Sequence, residues 1–261
     1  HDEAVLGISD YIKAHDPPCQ IRLAHGRDLA GQLAACKGVV AHVTGEAIRD
    51  ELRATGLAAV NTSAVLGEPG VPSVLFDDEA IGRLAAEHLL GRGHRRFACV
   101  GRTWEAFAVR RREAFDCARH LEDSFLADPA SRRRLLHWLR GLELPAGVLV
   151  VTDDMGPELI LAASELGIAM PQDLAVVGVG DTPRMCEVVR PTMSSVRLPW
   201  RLLGYRAAEL LYALLGGAAP PPAPLRVPPQ GVTARQSTEA FAVEDPLVRQ
   251  ALQFSADHVH E

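Results

Sequence analysis

Hydrophobic and polar positions along this chain alternate between two spacings, which predicts strands and helices in turn. Short apolar runs of strand length are followed by longer segments whose apolar positions recur at helical spacing. Strands are predicted over residues 19–23, 38–43, 57–61, 71–76 and 97–101, and within the runs 145–154 and 174–181. Helices are predicted over residues 4–14, 29–36, 46–54, 77–90, 105–121, 131–140, 155–166 and 199–215. Strands separated by helices are typical of parallel sheets with helices on both faces, so the predicted fold class is α/β.

The number of strands and the restart of the pattern at Arg95 indicate two lobes of this kind rather than one sheet. The proline-rich run Gly216–Pro229 predicts a stiff connection with at most a short edge strand at Leu225–Val227. A last amphipathic segment, Asp245 to His260, has Pro246 at its first helical position and predicts one helix. We expect that helix to begin another domain.

Composition sets limits on the class of protein. The 261 residues are 48% hydrophobic and 23% charged, which is typical of a soluble globular protein. The net charge of −6 is unlike that of a domain that grips nucleic acid directly. The five cysteines are odd in number and form no C-x-x-C pair, which predicts reduced thiols in a cytoplasmic protein rather than a disulfide framework or a zinc site.

The ends of the chain bear on its completeness and location. No signal peptide and no apolar run of membrane-spanning length is present in the sequence. The chain has no initiator Met and opens directly in a helical pattern, so we interpret it as a fragment that lacks a first strand.

Signatures of catalysis are absent from the sequence. It contains no G-x-S-x-G elbow, no phosphate-binding G-x-x-x-x-G-K loop, no G-x-G-x-x-G and no H-E-x-x-H. The Ser194-Ser195 pair could act as a nucleophile, but the sequence places no His to serve it. We therefore expect a protein that is not an enzyme and that uses no cofactor and no metal.

Acidic residues stand where two predicted strands end. Asp153 follows the run from Pro145, and Asp181 follows the run from Leu174. The carboxyl ends of strands in an open parallel sheet face the ligand crevice, so both carboxylates are candidate binding residues. Asp153 could equally cap the helix that follows it.

A basic cluster and two aromatic residues form a second set of candidates. Arg110, Arg111 and Arg112 occupy nearly a full helical turn, so one of them must point towards the strand ends or the core. A guanidinium in that position could clamp vicinal hydroxyls or a carboxylate. Trp104 and Phe107 could supply an apolar platform for a sugar ring. Without a role in binding, the arginines would lie on a solvated helix face and the aromatic residues would cover a sheet edge.

Four motifs stand out along the chain: DDEAIGRLAAEHLLGRGHRRFA over 77–98, ELGIAMPQDLAVVGV over 165–179, PTMSSVRLP with LGYRAAELL over 191–211, and ARQST over 234–238. Together, in order and spacing across most of the chain, they resemble the sugar-sensing domains of the lac and gal repressors.

Two further segments, LLHWLRGLELPAGVLVVTD over 135–153 and residues 243–254, carry a narrower resemblance. The first resembles the xylose-operon regulators of the AraC type, and the second is similar to the lead-in helix of their DNA-binding domain. Those regulators place the sensor first and a double helix-turn-helix domain after it. A repressor of the lac type would instead carry its DNA-binding headpiece before residue 1, and the sequence leaves that alternative open.

The resemblance implies a type I periplasmic-binding-protein-like fold, with two Rossmann-like lobes of parallel sheets joined by crossovers and an effector held in the cleft between them. The N-terminal lobe would be residues 1–94 and 193–216, the C-terminal lobe 95–192 and 222–238, and the first helix of the DNA-binding domain 244–261. A sugar, xylose or a related pentose, would close the cleft and so reposition DNA-binding domains in a homodimer. No membrane partner is implied.

The same resemblance implies roles for particular residues. Arg111, with Ala114 and Phe115 behind it, and Asp153 would bind sugar hydroxyls. The Asp that the family has in its next motif falls on Gly180 here, with Asp181 one residue later. Either Asp181 substitutes, or this protein senses an effector other than a pentose.

Two other classes of protein share parts of this pattern. A sugar-binding protein of a transport system has the same fold, although the appended helix and the five cysteines count against it. An α/β enzyme of another type is the remaining alternative.

Overall fold

A computed structural model describes residues 2–15, 21, 29–67, 69–102, 104–117, 119–122, 129–239 and 247–248. These residues form two compact units, each built from segments that are apart in the sequence. Unit 1 contains the described residues of 1–77, 104–107 and 199–229, and unit 2 those of 78–103, 108–198 and 230–261. The predicted strand over 19–23 and nearly all of the predicted helix over 245–260 lie outside the described residues.

Helices and strands alternate along the described chain. The helices are α1 (Asp2–His15), α2 (Leu29–Leu33), α3 (Glu46–Thr55), α4 (Asp78–Leu90), α5 (Ala106–Phe115), α6 (Pro129–Arg140), α7 (Gly156–Glu165), α8 (Pro183–Cys186) and α9 (Trp200–Leu215). The strands are β1 (Gly38–Ala41), β2 (Ala58–Asn61), β3 (Val74–Phe76), β4 (Phe97–Gly101), β5 (Arg119–Glu122), β6 (Ala146–Val150), β7 (Leu174–Gly180), β8 (Ser194–Arg197), β9 (Leu225–Val227) and β10 (Val232–Thr233).

Unit 1 is built on short parallel strands. Strand β1 pairs with β2, and β3 pairs with β9, in both cases in parallel. An isolated parallel bridge between Asn61 and Ser73 links the two pairs. The predicted edge strand Leu225–Val227 is thereby confirmed, because β9 supplies the partner for β3.

Helices α1 and α9 of unit 1 pack at close range through glycine. A Cβ atom on Gly7 would lie 1.9 Å from the carbonyl oxygen of Arg201, and one on Gly204 would lie 1.9 Å from that of Ala4. The absence of a side chain at these two positions lets the helix backbones approach each other.

Unit 2 has a six-stranded sheet in the order β10-β8-β7-β6-β4-β5. Every neighbouring pair is parallel except β10 with β8. All five residues of β6 and the first six of β7 are buried. Central strands covered on both faces read as continuous apolar runs, which explains why these two are clear in the sequence.

The predicted helix over 105–121 is wrong in its second half. Helix α5 ends at Phe115, and Asp116 has a φ of 54°, in the left-handed region that ends a helix. Strand β5 then runs parallel to β4 at the edge of the sheet. Its sequence, Arg-His-Leu-Glu, carries too few apolar residues to show a strand pattern.

The predicted α/β class is confirmed, with sheets that are parallel apart from one short strand. No helix in the described part of the chain is long and apolar enough to cross a membrane.

Candidate functional site

Polar side chains collect at the carboxyl ends of the central strands of unit 2. Arg102 follows β4, Asp153 follows β6 and Asp181 follows β7. Because these strands are parallel neighbours, their carboxyl ends lie at one edge of the sheet. This edge is where the sequence predicts a binding site.

Asp153 is buried and is held by two partners from other elements. Its Oδ1 accepts a hydrogen bond from the hydroxyl of Ser195 at 2.6 Å, and its Oδ2 accepts one from the backbone N–H of Thr182 at 2.7 Å. Burial raises the pKa of this carboxyl, while the two hydrogen bonds oppose that rise. Neither bond goes to the first turn of α7, so the interpretation of Asp153 as a helix cap is wrong.

Asp181 belongs to the same network. The backbone N–H of Asp181 donates to the hydroxyl oxygen of Ser195 at 2.9 Å, so Ser195 joins the two carboxylate residues. Oδ2 of Asp181 accepts from the Thr233 hydroxyl at 2.6 Å, and Oδ1 lies 2.7 Å from Nη2 of Arg235. With a φ of 54°, Asp181 holds a backbone conformation that few side-chain-bearing residues adopt, and this contact set fixes it.

The family pattern has an Asp at the position of Gly180, and the backbone conformation of this residue favours glycine. Its φ is 134°, a value that residues with a side chain rarely adopt. A Cβ atom on residue 180 would lie 2.9 Å from Oδ2 of Asp153. The carboxylate of Asp153 therefore occupies the space beside residue 180.

Arg111 is the inward-pointing member of the basic cluster. Its side chain is 6% exposed, its Nε donates to Oδ1 of Asp78 at 2.9 Å, and its Nη1 donates to the carbonyl oxygen of Val151 at 2.6 Å. The prediction that one of the three arginines must point inward is confirmed. Asp78 also attracts Arg110, whose Nη1 lies 3.7 Å from Oδ2. The guanidinium of Arg111 is thus tied to the carboxyl end of β6.

The structure brings some of the predicted residues together and leaves others apart. Asp153 and Asp181 share Ser195, and Arg111 contacts Val151, two residues before Asp153. Trp104 and Phe107 belong to unit 1, where Trp104 is 65% exposed and the Phe107 backbone N–H donates to the carbonyl oxygen of Ala64.

Sequence reasoning missed several residues of this network. Ser195, Asp78 and Arg235 are each far in the sequence from the residues they contact. Arg235 stands in the ARQST motif, which was a usable signal for it. Asp78 stands in the DDEAIGR part of the segment 77–98, which was a similar signal, but an acidic residue at a helix start is common and did not single it out.

The described residues contain no group of three or more His, Cys, Asp or Glu side chains that could hold a metal ion. The functional groups of the polar network are carboxylates, hydroxyls and guanidinium groups. Such groups bind neutral polyols through hydrogen bonds, with Arg as donor and carboxylate as acceptor.

Comparison with known proteins adds independent information. A family model described as a periplasmic binding protein-like domain matches residues 86–238. The xylose operon regulatory protein of Haemophilus influenzae is 28% identical, over 97% of this chain and 70% of that protein. The solved structure of the xylose-binding transcription activator xylR is 27% identical with a TM-score of 0.84, over 98% of this chain and 71% of that one. A LacI family transcriptional regulator from Mycobacterium smegmatis is 26% identical with a TM-score of 0.71, over 92% of this chain and 95% of that one.

Proposed function

Because the chain belongs to the periplasmic binding protein-like domain family, we propose that it is the effector-binding region of a sugar-responsive transcription regulator. The observation that carries this proposal is the similarity to xylR, which spans nearly the whole chain at a TM-score of 0.84. The relatives named above are transcription regulators, which supports a binding role rather than a catalytic one. The proposed effector is xylose or a related pentose.

The finer parts of the proposal rest on the sequence resemblance. They are an AraC-type arrangement with the DNA-binding domain after residue 244, a homodimer, and a cytoplasmic location. The proposed lobes are residues 1–94 with 193–216, and residues 95–192 with 222–238. They differ from the two compact units at residues 78–94, 104–107, 193–198 and 222–229. Effector binding would shift a conformational equilibrium by the difference in its affinity for the two states.

The proposed effector contacts are Arg111, Asp153 and Asp181 in unit 2 and Trp104 and Phe107 in unit 1. Asp78 orients the guanidinium of Arg111, and Ser195 and Thr182 orient the carboxylate of Asp153. Side chains held in this way lose little freedom when a ligand binds, so their hydrogen bonds contribute more to affinity. The exposed ring of Trp104 offers an apolar face that suits a sugar ring.

A thermal-shift titration tests this proposal. Aldopentoses, hexoses and sugar phosphates are added to the purified chain, and one free pentose is expected to raise the melting temperature as its concentration rises. Binding to the native state alone stabilises it by about 2.7 kcal/mol at a hundredfold excess over Kd. The proposal is contradicted if no sugar in the panel raises the melting temperature of the unmodified chain.

Variants assign the effect to the proposed residues. Arg111→Ala and Asp153→Ala are expected to weaken pentose binding by roughly tenfold or more, the effect of losing a charged hydrogen-bond partner. Because both side chains also hold unit 2 together, binding is measured by calorimetry at a temperature where each variant is folded. Arg133→Ala on α6 is the matched control, because Arg133 is exposed. Equal affinity in all three variants would exclude Arg111 and Asp153 from the site.

Operator binding separates the proposal from the alternative of a transport protein. A longer chain that continues beyond residue 261 is compared in a DNA mobility-shift assay with and without the pentose. Sugar-dependent DNA binding supports a regulator. Sugar binding without any DNA binding supports the transport class.

A further inference from the structure

Two cysteines of unit 2 lie side by side outside the polar network described above. Cys99 is in the middle of β4 and is 1% exposed, whereas Cys117 stands two residues before β5 and is half-buried. Their thiols hydrogen-bond to each other. Since β4 and β5 are paired with Cys99 opposite His120, the two cysteines come from neighbouring segments of one sheet edge.

A guanidinium lies near this pair, since Arg112 lines the same small pocket as Cys99. Arg112 on α5 stabilises the anionic form of both thiols, and its Nη1 lies 3.2 Å from Nε2 of His120. The hydrogen bond with Cys99 and the charge of Arg112 together lower the pKa of Cys117 against the effect of its burial. The pKa of Cys99 is raised well above its usual value, first by the bond with Cys117 and then by burial. The lowered pKa and the partial exposure of Cys117 make it the more readily ionised of the two thiols.

A small pocket of unit 2 lies beside Cys99, and its lining includes Cys99, Gly101, Arg102, Arg112 and His120. The pocket carries positive charge beside a thiol, and its size suits a small peroxide rather than a sugar. Cys117 is in addition partly open to solvent.

We propose that Cys99 and Cys117 form a peroxide-reactive dithiol that oxidises to an intramolecular disulfide. The Cys117 thiolate attacks one oxygen of hydrogen peroxide, the O–O bond breaks, and Cys117 sulfenic acid and hydroxide form. The sulfur of Cys99, as it loses its proton, then attacks the sulfur of the sulfenic acid, and hydroxide leaves, which takes up the proton as water. Overall two thiols are oxidised to one disulfide and one hydrogen peroxide is reduced to two waters.

The proposal does not depend on the sugar-sensing function. It rests on the adjacency of the two thiols, the position of Arg112 and the pocket beside Cys99. A third cysteine, Cys36 in unit 1, is half-buried like Cys117 and provides an internal comparison.

Oxidation of the unmodified chain decides the question. The folded protein is treated with increasing hydrogen peroxide, remaining thiols are alkylated, and disulfide-linked peptides are mapped by mass spectrometry. The expected result is a Cys99–Cys117 link, reversed by dithiothreitol, at peroxide concentrations that leave Cys36 alkylatable. Oxidation of Cys36 before this pair, or a link that joins other cysteines or two chains, would overturn the proposal.

Single variants then resolve the order of the steps. In Cys99→Ser, Cys117 is expected to stop at the sulfenic acid, which dimedone traps, whereas in Cys117→Ser the thiol of Cys99 stays reduced. Arg112→Gln is expected to slow formation of the link several-fold, and Cys36→Ser is the control that leaves its rate unchanged. Trapping at Cys99 instead of Cys117 would contradict the assignment. Circular dichroism confirms that each variant is folded before the reaction is read.

Discussion

At the scale of single residues, unit 2 holds two histidines in neutral form, His94 buried and His88 half-buried. Nε2 of His88 shares a hydrogen bond with the Thr238 hydroxyl at 2.9 Å, and its Nδ1 accepts one from Nη1 of Arg92 at 3.1 Å. Neither ring nitrogen of His94 has a hydrogen-bond partner among the described residues. Burial is the main cause that lowers the pKa of each to about 4, and the charge of Arg92 adds to it. Because both groups carry fewer protons in the folded than in the unfolded state between about pH 4 and pH 6.5, folding stability falls as the pH drops through this window.

Replacement of His94 by Leu is expected to reduce this acid sensitivity. The loss of unfolding free energy between pH 7 and pH 5 should shrink by about 1–2 kcal/mol, since one buried titrating group is removed. Stability at pH 7 should be unchanged or higher, because Leu has no polar atom to leave unpaired. Urea unfolding at both pH values measures the effect. His137→Leu, at an exposed position on α6, is the control, and the same acid sensitivity in His94→Leu and the unmodified chain would refute the assignment.

At the scale of elements, the packing of α1 on α9 depends on the absence of a side chain at two positions. Gly7 and Gly204 each face a backbone carbonyl of the opposite helix, so the contact can form only without side chains there. The aromatic rings of Tyr11 and Tyr205 close the same interface with centroids 5.1 Å apart. Edge-to-face rings at that distance are favourable, and they are available only once the helices are this near.

Gly204→Ala is expected to destabilise the protein by roughly 1–3 kcal/mol, because backbone rather than a movable side chain meets the new methyl group. The urea midpoint for the loss of helical circular dichroism measures it. Gly45→Ala before α3 is the matched control, since a Cβ atom there meets nothing within 4 Å. Equal midpoints for the two variants would show that α1 and α9 are not packed as described.

At the scale of the whole molecule, each unit is completed by a segment that returns from far along the chain. In unit 2 that segment is residues 230–239. The Ser237 hydroxyl donates to the carbonyl oxygen of Val176 at 2.6 Å and accepts from the Ser194 backbone N–H at 2.8 Å. Strand β10 pairs with β8 just before it. Unit 2 is therefore not complete at the end of β8.

Truncation after Pro229 is expected to loosen unit 2, whereas truncation after Glu239 leaves it intact. The shorter chain loses β10 and the buried bonds of Ser237, which leaves donors and acceptors on β7 and β8 unpaired. Hydrogen exchange of peptides from β7 and β8, read by mass spectrometry, should be faster only in the shorter chain. Identical protection in the two truncated chains would mean that residues 230–239 do not hold the sheet.

The sequence by itself determined the α/β class, the order of the elements and the family resemblance. It could do so because buried parallel strands and amphipathic helices have different apolar spacings that short windows of sequence record. It also determined that one of the three consecutive arginines points inward, since no helix can turn all three to solvent. Strand β5 could not be predicted from the sequence, because an edge strand of mostly polar residues has no such apolar spacing.

Only the tertiary structure decided which partners the candidate residues have. Asp78 meets Arg111, and Ser195 meets Asp153 and Asp181, over separations of 14 to 42 residues that no local pattern encodes. The tertiary structure also showed that a Cβ at position 180 would meet Asp153, and that Cys117 lies against Cys99. Contacts of this kind form only when distant segments of the chain come to the same edge of a sheet. The packing of the whole core brings those segments together, and no single segment encodes it.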